Sequence, residues 1–168
     1  FNTLCYKLRN ILVYGIIICM EKKNIKIADI SDVNIVAKLA NELWTNHSLD
    51  DLIKEFSELL SYNKAYIVLQ YVDALPIGFA QCQIRNEYVE GTETTPVGYL
   101  EGIYIKPNFR KCGYAKQLLK ECEKWAKLKG CKEFASDCQL DNVESFKFHL
   151  SSGFSEANRI ICFTKKLN

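Results

Sequence analysis

The sequence predicts an α/β fold whose elements run β-α-α-β-β-β-α-β-α-β. Three observations carry that expectation. Apolar runs of strand length, 65–72, 77–85 and 97–105, follow one another across the turn signals Asp73-Ala74-Leu75-Pro76 and Thr95-Pro96. Flanking segments repeat their apolar residues every three or four positions, as helices that cover a sheet do. A strand ending at Ile105 passes through a glycine-bearing turn directly into one of those helices.

Taken in order, residues 24–27 form a first strand, and Ser31 or Asp32 caps a helix that carries Val36, Leu39, Ala40 and Leu43 on one side and ends near Trp44. Ser48 to Asp51 has the character of a capping box, after which Leu52, Ile53, Phe56, Leu59 and Leu60 continue a second helix. The three apolar runs are consecutive, antiparallel strands. Beyond Gly113, the residues Ala115, Leu118, Leu119, Cys122, Trp125 and Ala126 make an amphipathic helix that Gly130 ends. Residues 134–137 are a strand. Asp141 or Asn142 caps a helix reaching about Ser152, Gly153 stops it, and residues 160–164 close the order as a strand.

A chain of 168 residues, 48% apolar and with only three Pro, suits one domain without linkers or repeats. Met20, the only methionine, is the expected true start, which makes 1–19 an upstream extension and 20–168 the domain. Lys7 and Arg9 precede an apolar run, 11–19, too short to span a bilayer; no small-x-small cleavage site follows, so neither export nor a membrane partner is expected. Those two basic residues account for the formal charge of +2, and overall charge predicts no nucleic-acid partner. Eight Cys without a C-x-x-C, and only His47 and His149 as histidines, suggest buried thiols in a cytoplasmic protein with no metal.

Chemistry concentrates at Arg110-Lys111-Cys112-Gly113-Tyr114-Ala115. First-turn amides of a helix lack intrahelical partners and lie at the positive end of its dipole, so they bind phosphate oxygens. Gly113 admits close approach of the main chain, while Arg110 and Lys111 add charge. The plainer reading is a strand-helix turn with solvated basic residues. A Walker loop is excluded, because the Gly-Lys-Ser/Thr ending is missing. A second bias is acidic: 86–105 holds Glu87, Glu90, Glu93 and Glu101 without Lys or Arg, and 133–144 holds Glu133, Asp137, Asp141 and Glu144 with no basic residue. That pattern suits an acceptor with several ammonium groups, although a solvated acidic loop has the same composition.

Arg110-x-x-Gly113-x-Ala115, followed in order by Asn142, Ser145, His149 and Gly153-Phe154, resembles the GCN5-related N-acetyltransferase superfamily. The stretches Glu87 to Tyr104 and Glu133 to Asn142 look like the aminoglycoside 6′-N-acetyltransferases, a likeness covering 20–168. The resemblance implies a splayed, mostly antiparallel mixed sheet flanked by helices, with acetyl-CoA as acetyl donor. It places backbone of Ile103, Tyr104 and Ile105 on the pantetheine arm and acetyl carbonyl. Arg110, Lys111, Cys112, Gly113, Tyr114, Ala115 and Lys116 fall around the pyrophosphate, and Asn142 on the pantetheine, though Asn142 also reads as an ordinary helix cap. Acceptor contacts are implied for Trp44, His47, Tyr88, Glu101 and Asp137. Asn158 stands where related enzymes have an acid, which bears on the preferred drug. A homodimer is implied, in which the loop from Tyr88 to Pro96 walls the partner's pocket.

For the chemistry, Glu101 is expected to take the ammonium proton through a water and Asp137 to position the aminated ring. The Ile103 N–H meets the oxyanion if a strand bulge lies near Glu101-Gly102. His149 occupies the place of a tyrosine general acid in many members, though a helical histidine among Phe146, Phe148 and Leu150 also reads as a packed bystander. Two other readings fit the residues: the same fold acting on a polyamine or a protein N-terminus, and a non-catalytic acetyl-CoA-sensing module.

Overall fold

The computed structural model describes residues 23–62 and 64–167. The expected extension 1–19 and the expected start at Met20 lie outside them. One five-stranded sheet, in chain order, organises everything else. β1 (Lys23–Ile27), β2 (Tyr66–Val72), β3 (Leu75–Arg85) and β4 (Val97–Ile105) pair antiparallel, and β5 (Glu133–Ser136) joins β4 in parallel. The helices are α1 (Val33–Leu43), α2 (Leu49–Ser61), α3 (Tyr114–Leu128) and α4 (Val143–Ser151).

Period-two alternation, reset on β3 at Ile77 where the register with β2 shifts between Gln70 and Tyr71, divides the sheet into two apolar faces. Ile67, Leu69, Phe79 and Tyr104 face α1 and α2, where Val36, Ala37, Leu39, Ala40, Leu52 and Phe56 are buried. Val68, Ile77, Ala80, Cys82 and Leu100 face α3, meeting Leu118, Leu119 and Cys122. Cys82 and Cys122 are buried against each other as small apolar side chains, and contact with Cys122 together with burial pushes the Cys82 thiol far above its ordinary range. Two of the expected caps form: Ser48 Oγ accepts from the Asp51 amide at 3.1 Å, and Asn142 Oδ1 from the Ser145 amide at 3.0 Å, whereas Asp32, the residue before α1, makes no side-chain cap because its carboxylate is taken by Lys26 and the Asp29 amide. Two short 3₁₀ turns, Ile30–Asp32 and Pro107–Phe109, were not expected.

The ninth and tenth expected elements differ in outcome. α4 forms, but residues 160–164 are not a strand: 154–167 runs without regular structure, leaving Ile160, Ile161 and Phe163 at 68%, 82% and 91% exposure. The reason is the nature of the signal. An apolar β-branched run reports readiness to pair, whereas a strand forms only where the preceding chain lays that run alongside an edge, and 154–167 is not laid there.

β4 decides where chemistry is possible. Its pairing with β3 skips from Gly102 opposite Gln81 to Leu100 opposite Cys82, so Glu101 is an extra, bulged residue. The bulge resets the alternation, and Tyr99, Glu101, Gly102 and Tyr104 all serve the α1/α2 face. Pairing with β5 ends at Leu100 opposite Ser136, while β4 continues to Ile105. Among the described residues, no strand covers the outer edge of 101–105.

Candidate active site

One half of the site is backbone. The uncovered edge of β4 presents the N–H and C=O groups of alternate residues within 101–105, at the point where β4 and β5 part. The chain then turns through Pro107–Phe109 into α3. Arg110 is built into that turn: its Nε donates to the Ile105 carbonyl at 2.9 Å, and its guanidinium lies 5.6 Å from the Tyr104 ring centre. Tyr104 in turn donates its hydroxyl to Glu42 at 2.8 Å, and burial followed by that bond raises its phenol.

Gly113, at φ +85°, is the residue before the first turn of α3 and supplies no side chain to cap it. A Cβ there would meet nothing within 4 Å, so the demand for glycine comes from backbone conformation, not from crowding by its own chain. Lys111 shares the left-handed region at φ +61°. Cys112 lies between them, partly covered, and Lys116, one turn into α3, donates to the Ser151 carbonyl of α4 at 2.5 Å. The sequence-predicted donor residues 103–105 and 110–116 are thus continuous around one strand edge and one helix start. Asn142 lies at the start of α4 with its Oδ1 committed to the cap.

The other half is a cleft of about 370 Å³ on the α1/α2 face, lined by Trp44, His47, Leu52, Glu55, Gln81, Gln83, Arg85 and Glu101. Three sequence-predicted acceptor residues, Trp44, His47 and Glu101, meet there. Trp44 follows the last turn of α1, packs edge-on to Phe79 at 5.9 Å, and covers Gly102, where an added Cβ would come within 2.5 Å of the indole. Gly102 is therefore what lets the indole lie flat over the bulge.

Glu101 does not enter this cleft as an unpaired acid. Arg85 grips both of its oxygens, at 3.0 and 2.9 Å from Nη2, and stacks 3.3 Å above the Tyr99 ring. Tyr99 passes its hydroxyl to Asp137 at 2.5 Å; burial first, then that bond, keeps the phenol protonated far above its usual range. Asp137, just beyond β5, is exposed and outside the cleft lining, joined to Glu101 only through Tyr99 and Arg85.

Tyr88 and Asn158 are brought together elsewhere. Both bond to Glu90, at 2.7 and 3.0 Å, which holds that carboxyl below its ordinary value. Glu133 accepts from the amides of Glu93 and Thr94 and from the Thr94 hydroxyl, the last lowering its pKa most. The acidic bias is therefore divided: Glu90 and Glu133 tie down the loop from Asn86 to Pro96, while Glu101 serves the cleft. His149 is not a free acid either. Its Nδ1 donates to the Ser145 carbonyl at 2.7 Å and its Nε2 meets Ser136 Oγ at 3.0 Å, with Ser136 also bonded to the Leu100 carbonyl. Any proton it supplied would pass through Ser136, at the parting of β4 and β5.

Sequence reasoning missed Arg85, Gln81 and Glu55. A signal for the first two exists: Gln81, Gln83 and Arg85 alternate on one side of a central strand directly after buried Phe79. Polar residues at period two, inside an otherwise apolar strand, mark a wet cleft on that face.

Residues 34–154 match the acetyltransferase (GNAT) family. An aminoglycoside N(6′)-acetyltransferase type 1 of Acinetobacter haemolyticus is 43% identical over 145 residues, 86% of this chain and 99% of its own. The structure of AAC(6′)-Iy in complex with CoA superposes with a TM-score of 0.84 at 33% identity, covering 93% of this chain and 99% of that one. AAC(6′)-Iy with a bisubstrate analogue, CoA-S-monomethyl-acetylneamine, gives 0.83 at 34% identity over 87% and 99%.

Proposed function

The chain belongs to the acetyltransferase (GNAT) family, among its aminoglycoside N(6′)-acetyltransferases, and we propose that it moves the acetyl group of acetyl-CoA onto the 6′-amine of aminoglycoside antibiotics, conferring resistance. The observation that carries this reading is the placement of a carboxylate-bearing cleft directly beside a strand edge left open by β5. An acyl thioester laid along that edge puts its carbonyl carbon within reach of an amine held in the cleft.

Main-chain groups of Ile103, Tyr104 and Ile105 hold the pantetheine arm, Lys111 to Lys116 receive the pyrophosphate at the positive end of α3, and the Asn142 side-chain amide adds a donor. Arg110 acts mainly by fixing the turn, given its bond to Ile105. Gly113→Val, forced to φ +85°, is expected to raise the KM for acetyl-CoA roughly tenfold and cost about 1–3 kcal/mol of stability, read by steady-state kinetics and chemical unfolding.

Glu101 and Asp137 order the cationic acceptor, with Trp44 and His47 as the cleft's far wall. The neutral 6′-amine attacks the thioester carbon; the C–N bond forms, the oxyanion meets the Ile103 N–H after the bulge, and the C–S bond breaks. The amine's proton leaves through a water to Glu101, and the thiolate takes a proton by way of Ser136 and His149. Transfer is direct, without an acyl-enzyme.

Residues 20–168 form the catalytic unit, acting in the cytoplasm; among the described residues no helix is long and apolar enough to cross a membrane. The unit is a homodimer. Ile160, Ile161, Phe163 and Leu167 present an apolar stretch to solvent, and among the described residues the outer edge of β5 has no strand beside it, which supports coverage by a second copy. In that assembly Tyr88 and Asn158 reach the partner's cleft.

The test is thiol release from acetyl-CoA with tobramycin, a 6′-hydroxylated aminoglycoside, spermidine and a basic peptide, with Asp137→Asn alongside. Turnover of tobramycin, weakened by Asp137→Asn, is expected. Turnover of spermidine or peptide alone would overturn the reading.

A further inference from the structure

Gln81 lies on β3 opposite Gly102, beside the bulge at Glu101 and one residue from Ile103. Only 3% of it is exposed, it lines the cleft, and its Oε1 has no hydrogen-bond partner. An unpaired buried acceptor costs free energy, and its neighbour on the same face, Phe79, shows that an apolar side chain is accepted there. A strand gains nothing for its own stability by keeping an amide at this place.

The surroundings say what the missing partner is. Arg85, the one cation of the cleft lining, is turned to both oxygens of Glu101. Glu55 and Glu101 are acceptors, and although Trp44 and Gln83 in the same lining carry N–H groups, neither bonds to Gln81 Oε1, which is left without a partner. A donor on what occupies the cleft would meet this open acceptor. Gln81 lies at the level of the sheet, at the cleft floor, opposite Gly102 and beside the bulge.

Resting on the proposed acetyl transfer, we propose that Gln81 Oε1 accepts a hydrogen bond from the reacting amine of the acceptor, orienting the nitrogen lone pair toward the thioester carbon. Glu101 and Asp137 recognise the charge of the acceptor as a whole; Gln81 selects which amine is presented. A neutral acceptor is suited to this task, because it binds an N–H without holding the amine in its unreactive ammonium form as a second carboxylate would.

Gln81→Leu and Gln81→Glu test this in the full chain, with melting temperature, KM for acetyl-CoA and kcat/KM for an aminoglycoside that the parent protein acetylates. Gln81→Leu is expected to melt at or above the parent temperature, to keep its acetyl-CoA KM within about twofold, and to lose roughly tenfold to hundredfold in kcat/KM for the aminoglycoside. Gln81→Glu retains an acceptor and is expected to exceed Gln81→Leu in kcat/KM, with its pH profile shifted toward alkaline values. Undiminished kcat/KM in Gln81→Leu overturns the inference, as does joint loss of melting temperature and acetyl-CoA affinity, the mark of a structural role. If the parent protein turns over spermidine or peptide and no aminoglycoside, the functional reading fails by itself, and the same criteria are applied to the amine it does acetylate.

Discussion

Replacing Glu101 with glutamine is expected to lower kcat/KM for an aminoglycoside by about hundredfold or more, with little change in the KM for acetyl-CoA. Two effects add. The carboxylate proposed to meet the acceptor's ammonium groups is lost, and Arg85, which it holds at 2.9 Å, becomes an uncompensated cation in the cleft proposed for a cationic ligand. Glu101 is mostly shielded, with a side-chain exposure of 22%, so solvent screens neither effect fully. The double variant Arg85→Ala/Glu101→Gln removes both charges and is expected to recover part of the loss in acceptor KM. A loss appearing equally in acetyl-CoA KM would mean that Glu101 acts by shaping β4, not by meeting the acceptor. Steady-state kinetics at low and high salt separate the outcomes, since charge repulsion weakens as salt rises.

Phe79→Ala is expected to cost about 3–5 kcal/mol of folding stability, the usual range for emptying a buried aromatic site. Phe79 has no exposed surface and joins α1, α2 and the sheet, its ring set edge-on to Trp44 at 5.9 Å and to Phe56 at 6.3 Å. Urea unfolding measures the loss, and the melting temperature should fall by roughly 10 °C for a chain of this size. The same ring supports the indole that covers Gly102, so the acceptor KM should rise even where the protein remains folded. Phe79→Leu fills more of the space and is expected to lose less on both measures. A stability loss with an unchanged acceptor KM would separate the core from the cleft wall.

Core and site are therefore one construction, and that governs what could be read in advance. Strand and helix positions depend on local periodicity, which is why the expected run 97–105 coincides with β4 and why Ser48 and Asn142 cap the helices that follow them. The phosphate-type turn was legible for the same reason: a glycine at φ +85° before a helix is a local requirement. The bulge was anticipated from Glu101-Gly102 through resemblance, and the register places it there.

Charge compensation is not local. Arg85 stands one position before the acid-rich stretch and sixteen from Glu101, and only antiparallel pairing of β3 with β4 brings the two together. Glu90 and Glu133 belong to the same acidic composition as Glu101, yet hydrogen bonds to the loop of residues 86–96 and to Asn158 give them anchoring duties. His149 fits a general acid by position, and its two ring nitrogens are engaged by Ser145 and Ser136.

By itself the sequence determined the element order through α4, the apolar sides of the helices and the turn at Gly113, because each follows from the spacing of side chains along one segment. Tertiary structure decided which acids face the cleft, that Arg85 joins them, that Gln81 lies buried at its floor, and that residues 160–164 pair with no strand. Those outcomes depend on distances between segments far apart in the chain, and the spacing of residues within a segment carries no measure of them.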